Sequence, residues 1–318
     1  MPPLLSICIP TWNRADSLRK TLGSLVAALP GLPAGSIELC LSDNASTDAT
    51  PLVIAEARNL GIPVRTTRLA ENAGFSGNYW SVASLATARF TWITGDDDAF
   101  DPEGLAALVT SLATLSGDLI LINSSPWKAG AKSLPDQEIN GLEGYFATLG
   151  IFHASFIGNS VYSTVSLRPF IGHPATLASA YPHMAPVFGL LHSGRCRFVN
   201  LRPVTMDDSS RSWRARQPLL TSIDMARLAS DLAFTDSACR LATRARTYIL
   251  LMRSLPRAVL RVSRRIITVD SANPYQSLDC RNILDCYREV PLAGTAACIA
   301  AFLTRIAALL LSGKSRCL

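Results

Sequence analysis

The sequence predicts an α/β protein with a mostly parallel sheet and helices on both of its faces. Between residues 4 and 125, short apolar runs typical of buried strands alternate with segments that have helical apolar spacing. This alternation is typical of β-α-β units, whose strands lie parallel in one sheet. Polar residues follow the apolar runs, and open sheets of this kind bind ligands beyond the carboxyl ends of their strands.

The predicted elements of this first part follow one another in a regular order. The strands are predicted at residues 4–10, 37–42, 63–68, 91–94 and 119–123. The helices are predicted from Asp16 or Ser17 to about Leu29, at 50–58, at about 79–88 and from Pro102 onward. Asp101 and Pro102 are typical of a helix start, with Asp as the N-cap and Pro at the first helical position. The glycines between residues 71 and 78 predict a loop before the third helix.

The composition indicates a packed protein with a mild excess of positive charge. Of 318 residues, 48% are apolar and 17% are charged, and the net charge is +6. Mild basicity suits anionic partners such as nucleotide phosphates or lipid headgroups. Eight cysteines without CxxC spacing indicate neither a zinc site nor a disulfide framework, and with no secretory signal we expect reduced thiols in a cytoplasm. Residues 292–312 come nearest to a membrane span, but Arg305 interrupts them.

Three adjacent carboxylates, those of Asp96, Asp97 and Asp98, follow the fourth predicted strand. Like charges at such short range repel one another, so the cluster is unfavourable unless a cation lies among them. A divalent metal ion that also binds a diphosphate would supply that positive charge. A solvated acidic turn that leads into the next helix is the simpler interpretation, and both stay open on these residues alone.

Polar residues that follow four predicted strands should lie at one edge of the sheet, because parallel strands end on the same side. They are Thr11, Asp43, Asn72 and the acidic residues 96–98. A dinucleotide-binding Rossmann domain would need GxGxxG after the first strand, but residues 10–14 contain no glycine. The phosphate-loop pattern GxxxxGK[ST] is also absent. A nucleotide would therefore be held by other means, such as a metal ion on the acidic residues.

At four places the chain resembles the family 2 glycosyltransferases. The matching segments are SICIPTWNR at 6–14, LSDNASTDAT at 41–50, ENAGFSGN at 71–78 and WITGDDDAFDP at 92–102. They keep the family's order and rough spacing. The GDDD form resembles most the abequosyltransferase-type members that build bacterial O-antigen or capsule sugars. The resemblance implies a GT-A fold, a nucleoside-diphosphate sugar donor, a Mn or Mg ion and an inverting mechanism.

The same resemblance implies roles for individual residues of a donor site. Pro10 and Thr11 would line the nucleoside pocket, and Asp43 would accept a hydrogen bond from the base. Asn72 and Asn78 would lie near the base and sugar, and Asp96 would face the ribose or the donor sugar. Asn13 and Gly74 belong to the same set of donor-binding residues. Asp97 would be the main metal ligand, with Asp98 beside it. The commoner family pattern is Asp-x-Asp-Asp, and here Gly95 stands where the first Asp is expected. The division of duties among the three acids is therefore open.

An inverting transfer needs a general base that takes a proton from the acceptor hydroxyl. In the family this base is usually an acid of a Glu-Asp pair, shortly before a glycine that ends a helix. Gly194 resembles that glycine, and counting back places Pro182 and His183 where the acidic pair would be. His183 is the predicted catalytic base, because histidine exchanges protons near neutral pH. Asp208 is the alternative base, and a structural histidine is the alternative interpretation of His183.

The chain is predicted to comprise three regions. Residues 1–125 would form the nucleotide-sugar-binding half of a GT-A domain, 126–215 its acceptor-binding half, and 216–318 a helical C-terminal region. In the last region, arginines lie among apolar helical positions, which suits either an anionic membrane surface or a helical subdomain with a solvated face. A nucleic-acid partner is not expected, since the arginines do not line an aromatic strand face.

The sequence thus predicts a cytoplasmic inverting glycosyltransferase of bacterial surface polysaccharide synthesis. It would move a sugar from a nucleoside-diphosphate donor to a glycan acceptor that is lipid-linked, and docking on the inner face of the cell membrane stays open. A catalytically inactive carbohydrate- or nucleotide-binding protein of the same fold is the alternative, because the Glu-Asp pair is missing.

Overall fold

The computed structural model describes residues 2–124, 134–150, 153–177 and 181–206. They belong to the first of two units into which the chain divides, Met1–Ser210. Asp208, the predicted helical region at 216–318 and its predicted membrane-facing arginines lie outside the described residues. The predicted region boundaries after residues 125 and 215 stay predictions.

The described strands and helices alternate through the first half of the chain and become shorter in the second. The strands are β1 (Leu5–Thr11), β2 (Ile37–Asp43), β3 (Val64–Arg68), β4 (Phe90–Ile93), β5 (Asp98–Phe100), β6 (Leu119–Ile122), β7 (Gln137–Ile139), β8 (Ser160–Ser163), β9 (Cys196–Val199) and β10 (Val204–Met206). The helices are α1 (Ala15–Ala28), α2 (Thr50–Ala57), α3 (Gly74–Ser84), α4 (Pro102–Thr114), α5 (Gly141–Thr148), α6 (Thr164–Leu167), α7 (Pro174–Leu177) and α8 (Met184–Ser193).

The main sheet has the strand order β3-β2-β1-β4-β8-β6-β9-β7. The pairs β1–β2, β2–β3, β1–β4 and β6–β9 are parallel, whereas β8 runs antiparallel between β4 and β6, and β7 runs antiparallel to β9. The mostly parallel α/β sheet predicted from the sequence is therefore confirmed. β5 lies outside this sheet and pairs antiparallel with β10.

Helices cover both faces of the sheet, as the strand-helix alternation predicted. One face forms the main apolar core, in which alternate residues of β1 pack with buried leucines of α1 and α4; they are Leu5, Ile7, Ile9, Leu18, Leu25, Leu105 and Leu108. Full burial of one such side chain contributes about 1.5–3 kcal/mol. The opposite face meets α3, where the hydroxyl of Ser42 in β2 donates a 2.9 Å hydrogen bond to Ser81. Packing on both faces fixes the sheet edge that carries the polar residues.

Two predicted boundaries differ from the structure. The third helix begins at Gly74 and ends at Ser84, not at residues 79 and 88. Gly74 takes a φ of +71°, which ends the preceding loop early. Side chains also hold the first turn: Asn44 accepts a 2.9 Å bond from the Ala73 amide, and Asn72 accepts one of 2.9 Å from Gly74. In the acidic stretch, Asp98 is the first residue of β5 rather than part of a turn.

Candidate functional site

Residues 95–98, here called the acidic turn, comprise the end of the connection from β4 and the first residue of β5. The Gly95 amide donates a 2.8 Å hydrogen bond to Oδ2 of Asp98, which closes the turn. A Cβ atom at Gly95 would lie 2.7 Å from Oδ1 of Asp97 and 3.2 Å from Oδ2 of Asp98. Any other residue would therefore push the Asp97 carboxylate away. The glycine at the place of the family's first Asp has a steric reason in this turn.

Helix α1 supports the acidic turn from one side. The hydroxyl of Thr21 donates a 3.0 Å hydrogen bond to the backbone oxygen of Asp96. One turn later, the hydroxyl of Ser24 accepts a 2.9 Å bond from the Phe100 amide in β5. Both contacts are made within an amphipathic helix whose apolar side is buried, so the turn is attached to a rigid element. Sequence reasoning did not identify Thr21 or Ser24, because nothing in the helical pattern distinguishes them from other polar residues.

The loop after β1 contacts the carboxylates of the acidic turn. Thr11 donates a 2.7 Å hydrogen bond from Oγ1 to Oδ2 of Asp96. Nε of Arg14 lies 3.3 Å from Oδ1 of Asp96, and its Nη2 lies 2.8 Å from Oδ2 of Asp97. The structure thus brings the predicted residues Thr11, Asp96 and Asp97 together, and it adds Arg14. In this structure the guanidinium of Arg14 supplies the positive charge beside the crowded carboxylates.

Burial perturbs two of the three carboxyl groups strongly. Asp96 is 7% exposed and Asp98 is 3% exposed. Burial raises the pKa of Asp96 to about 6, although Arg14 and Thr11 oppose that shift. Burial raises the pKa of Asp98 to about 8 against the Gly95 hydrogen bond, and the neighbouring Asp97 and Asp96 charges raise it further. Burial therefore favours the neutral form of both carboxyl groups, whereas Arg14 favours their charged form.

The loops after β1 and β2 are tied to each other. Asn13 adopts a left-handed conformation with φ of +51°, and its Oδ1 accepts a 2.7 Å hydrogen bond from the Thr47 amide. The first amide of α1, that of Ala15, donates to Oδ2 of Asp48 at 3.2 Å. The side chain of Asn13, which the resemblance assigns to the donor site, thus holds the loop that carries Arg14.

Asp43, the predicted partner of the base, ends β2 and is 2% exposed. Its Oδ1 accepts a 2.9 Å hydrogen bond from the Ser46 amide, and its Oδ2 lies 3.5 Å from Nε of Arg68. Pro10 is buried in β1 and pairs with Ser42, one residue before Asp43. Both carboxylate oxygens keep further lone pairs, so Asp43 can still accept a hydrogen bond from a ligand.

Two of the predicted asparagines also make contacts within the protein. Asn44 donates to Oδ1 of Asn72 at 2.8 Å, and this couples the loop after β2 to the start of α3. Asn78 donates from Nδ2 to the backbone oxygen of Thr11 at 3.1 Å, whereas its buried Oδ1 has no hydrogen-bond partner among the described residues. Their roles toward a ligand stay predictions. Asn44 itself was not identified from the sequence, since its burial depends on the tertiary contact with Asn72.

Two aromatic side chains are exposed at this edge of the sheet. Trp12 follows β1 and is 48% exposed, and Phe75 lies in the first turn of α3 and is 44% exposed. Single exposed apolar side chains are common on protein surfaces, so their exposure alone assigns them no ligand. Aromatic faces of this kind stack on nucleobases and sugars.

His183, the predicted base, lies at the start of α8, and Gly194 ends that helix as expected from the sequence. The imidazole is 3% exposed, and its Nε2 lies 3.2 Å from the backbone oxygen of Ser155. Its Nδ1 has no hydrogen-bond partner among the described residues. Burial lowers the pKa of His183 to about 4, so the ring is neutral at physiological pH. A neutral ring can accept a proton, but the low pKa makes it a weak base.

The carboxylates of the acidic turn are suited to a divalent ion that they would bind together with phosphate groups of a substrate. Across the part of the chain that the structure describes, no group of three or more His, Cys, Asp or Glu side chains is arranged to hold a metal ion. Mg²⁺ and similar ions, however, are usually bound by one or two carboxylates together with substrate phosphates. Asp97 and Asp98 carry carboxylate oxygens, which are the type of ligand that such ions prefer. Within the same described residues, no helix is both long enough and apolar enough to cross a membrane.

Comparison with known proteins finds relatives of this chain by sequence and by fold. Residues 6–141 match the family model "Glycosyl transferase family 2". Abequosyltransferase RfbV of Salmonella typhimurium is 40% identical over 110 residues, which are 34% of this chain. The match spans only 32% of the length of that relative.

Solved structures resemble this chain in fold. Staphylococcus aureus TarS 1–349 in complex with UDP-GlcNAc has a TM-score of 0.66 at 18% identity, covering 98% of this chain and 93% of the TarS 1–349 chain. The mannosyltransferase PcManGT of Pyrobaculum calidifontis, in complex with GDP-Man and Mn²⁺, has a TM-score of 0.58 at 16% identity, covering 96% and 87%. The GT-A fold predicted from the sequence is thereby confirmed.

Proposed function

Since residues 6–141 match the family model "Glycosyl transferase family 2", we propose that the protein transfers a sugar from a nucleoside-diphosphate donor to a glycan acceptor, with inversion. The observation that carries this proposal is the meeting of Thr11 and Arg14 with Asp96 and Asp97 at the carboxyl ends of β1 and β4. This is the edge at which open α/β sheets bind nucleotides. The structural relatives bind UDP-GlcNAc and GDP-Man, which supports a donor of this class.

The nucleoside part of the donor would lie over the ends of β1 and β2. Asp43 is fixed there by Ser46 and Arg68 and would accept a hydrogen bond from an N–H group of the base. Trp12, exposed beside Thr11, would stack on the base or the sugar. Asn13, Asn72, Gly74 and Asn78 would form the surrounding loops, and the unpartnered Oδ1 of Asn78 would accept from the donor.

A divalent cation would bind at the acidic turn, with Asp97 and Asp98 as its protein ligands. The complex of PcManGT contains Mn²⁺, which supports Mn²⁺ or Mg²⁺ here. Such an ion would act as a Lewis acid that neutralises the departing nucleoside diphosphate. Asp96, held by Thr11 and Arg14, would face the ribose or the donor sugar instead. Asp97 and Asp98, which Thr11 does not contact, would then bind the metal ion.

The general base is proposed to be His183, with Asp208 as the alternative. His183 is neutral and has an unpartnered Nδ1, which would permit proton uptake. Its burial and its pKa of about 4 are the argument for Asp208, since an efficient base titrates nearer the working pH. The acceptor would be a lipid-linked glycan of bacterial surface polysaccharide synthesis. A cytoplasmic protein at the inner face of the membrane would meet such an acceptor.

A second candidate function is a binding protein of the same fold without catalysis. The specific observation in its favour is that α8 (Met184–Ser193) contains neither Asp nor Glu. Both candidates bind a nucleotide sugar, so binding alone does not distinguish them. Release of a nucleoside diphosphate from the donor distinguishes them, because only the enzyme breaks the bond between the sugar and the diphosphate.

Donor binding is tested by thermal denaturation with a panel of nucleoside-diphosphate sugars that includes UDP-GlcNAc and GDP-Man. A ligand at about 100 times its Kd stabilises the folded form by about 2.7 kcal/mol, so the melting temperature rises by several degrees. We expect one donor class to do this with Mn²⁺ and not with EDTA. Asp97→Asn should abolish the Mn²⁺-dependent part. Asp16→Asn is the control, because the Asp16 side chain is 96% exposed on α1. Stabilisation by none of the donors would contradict the proposal.

A further inference from the structure

Arg14 occupies a helix position that its residue type does not explain. It is the N-cap residue of α1, where Ser, Thr, Asp or Asn is preferred, and its side chain makes no capping hydrogen bond. The capping contact comes from elsewhere, since Oδ2 of Asp48 accepts from the Ala15 amide. The Arg14 side chain reaches the acidic turn instead, with Nη2 at 2.8 Å from Asp97 and Nε at 3.3 Å from Asp96.

The backbone fixes the origin of this reach. The Arg14 amide donates a 3.1 Å hydrogen bond to the hydroxyl of Thr50 at the start of α2. The preceding Asn13, with φ of +51°, is bonded to the Thr47 amide. The side chain of Arg14 is nevertheless 31% exposed, so the guanidinium can turn toward solvent or toward a bound anion. The fixed backbone and the long side chain, which is 31% exposed, suit a residue whose guanidinium changes its hydrogen-bond partners.

We propose that Arg14 is a built-in counter-ion of the acidic turn, which makes the binding of metal ion and donor mutually dependent. The inference rests on the proposed function. Without ligands, the guanidinium holds an Asp97 oxygen that a divalent ion would need. A diphosphate offers the guanidinium two anionic oxygens in the fork geometry that arginine prefers. Arg14 then turns from Asp97 to the phosphates, and Asp97 becomes a metal ligand.

The proposal has a quantitative consequence. Metal alone binds weakly, because it must displace Arg14 with no compensating contact. A nucleoside diphosphate raises the affinity for metal, and by thermodynamic reciprocity the metal raises the affinity for the nucleotide by the same factor. Couplings of this kind are typically about 5–150-fold. Removal of the Arg14 charge should strengthen the binding of metal alone, which loss of a merely structural residue would not do.

The test is the affinity for Mn²⁺, measured by electron paramagnetic resonance of the free ion, with and without UDP or GDP. In the full-length wild type we expect either nucleotide to tighten Mn²⁺ binding by about tenfold or more. Arg14→Gln should bind Mn²⁺ alone about tenfold more tightly than wild type, and its coupling to the nucleotide should fall below about threefold. Arg14→Lys, which keeps the charge but not the fork, should lie between them. Arg19→Gln is the control, because Arg19 is exposed and pairs with Asp16 on α1.

The outcomes separate this inference from the proposed function. If Arg14→Gln and wild type bind Mn²⁺ alone equally, or show equal coupling, the inference is overturned while the proposed function stands. If wild type binds neither nucleotide with Mn²⁺ and no donor of the panel stabilises it, the proposed function and the inference fall together. Should Arg14→Gln fail to fold, Arg14→Lys decides the question, since wild-type coupling in that variant would contradict a role for the guanidinium fork.

Discussion

The hydroxyl of Thr11 donates a 2.7 Å hydrogen bond to Oδ2 of Asp96, a residue that is 85 positions away in the sequence. The bond joins the carboxyl ends of β1 and β4, which are neighbours in the sheet. It holds a buried carboxyl group in one orientation, and it connects the proposed nucleoside pocket to the acidic turn. The geometry of the proposed donor site therefore depends on the register of two adjacent strands.

Thr11→Val removes this bond and keeps the shape of the side chain. We expect the free energy of unfolding to fall by about 1.5–3 kcal/mol at pH 8, because a hydrogen bond to a charged acceptor is lost. The affinity for the stabilising nucleotide sugar should fall as well. Urea denaturation and calorimetric titration measure the two effects. Thr110→Val is the control, since the Thr110 hydroxyl is exposed and bonds only within its helix. Equal losses in both variants would contradict a special role for Thr11.

Gly95→Ala tests the steric reason for glycine in the acidic turn. The new Cβ would lie 2.7 Å from Oδ1 of Asp97, so the carboxylate must rotate away. We expect the affinity for Mn²⁺ with nucleotide to fall about tenfold or more, while the free energy of unfolding changes by at most about 1 kcal/mol. Gly23→Ala provides the comparison, because a Cβ at Gly23 in α1 meets no atom within 4 Å. Unchanged Mn²⁺ affinity in Gly95→Ala would show that the position of Asp97 is not critical.

Glu38 predicts a pH dependence of stability away from the site. Its buried carboxylate accepts hydrogen bonds from Ser6 at 2.6 Å, Thr87 at 2.7 Å and Arg65 at 3.0 Å. Burial alone would raise the pKa of Glu38, but these bonds outweigh it and lower the pKa below its ordinary value. A lowered pKa in the folded state means that the stabilisation is present at neutral pH. It is lost as the pH falls through the folded pKa.

Glu38→Gln should therefore be less stable than wild type by about 1–3 kcal/mol at pH 7. The difference should shrink as the pH falls below the ordinary Glu pKa of 4.5 and through the lowered pKa of the folded state. Urea denaturation at several pH values measures it. Glu56→Gln serves as the surface control, because the Glu56 side chain is 65% exposed. A difference that stays constant or grows toward low pH would contradict the assignment.

The identity of the base is tested by comparing His183→Asn with Asp208→Asn. We expect His183→Asn to lower donor turnover by about 100-fold or more while nucleotide affinity is kept. Because the pKa of His183 is about 4, activity that depends on its neutral form should persist well below pH 6. Retained turnover in His183→Asn, with the loss in Asp208→Asn, would transfer the role to the aspartate.

Local features of the sequence were sufficient for most of the first half of the fold. The apolar runs that predict β1, β2, β4 and β6 are strands because they are long enough, and apolar enough, to be buried on both faces. Asp101 caps α4 as predicted, accepting a 2.7 Å bond from the Gly104 amide. Since parallel strands end on one side, Thr11 and Asp96 also meet as predicted.

Features that depend on contacts distant in the sequence could not be predicted. The antiparallel insertion of β8 between β4 and β6 is set by pairing across more than one helix, which no local pattern encodes. Residues 98–100 are too short a run for strand periodicity, and they become β5 only because residues 204–206 pair with them. Arg14 lies in the recognisable segment 6–14, but its contact with Asp97 depends on the direction of a long side chain, which the sequence does not specify.

In our proposal, the acidic turn and the ends of β1 and β2 form the donor site of a sugar transferase. The most direct measurement is the release of nucleoside diphosphate from the stabilising nucleotide sugar, with Mn²⁺, by wild type and by Asp97→Asn. We predict release by wild type that EDTA abolishes, and a rate lower by about 100-fold or more in Asp97→Asn. No release by wild type from any donor of the panel, or equal rates in both proteins, would contradict the claim.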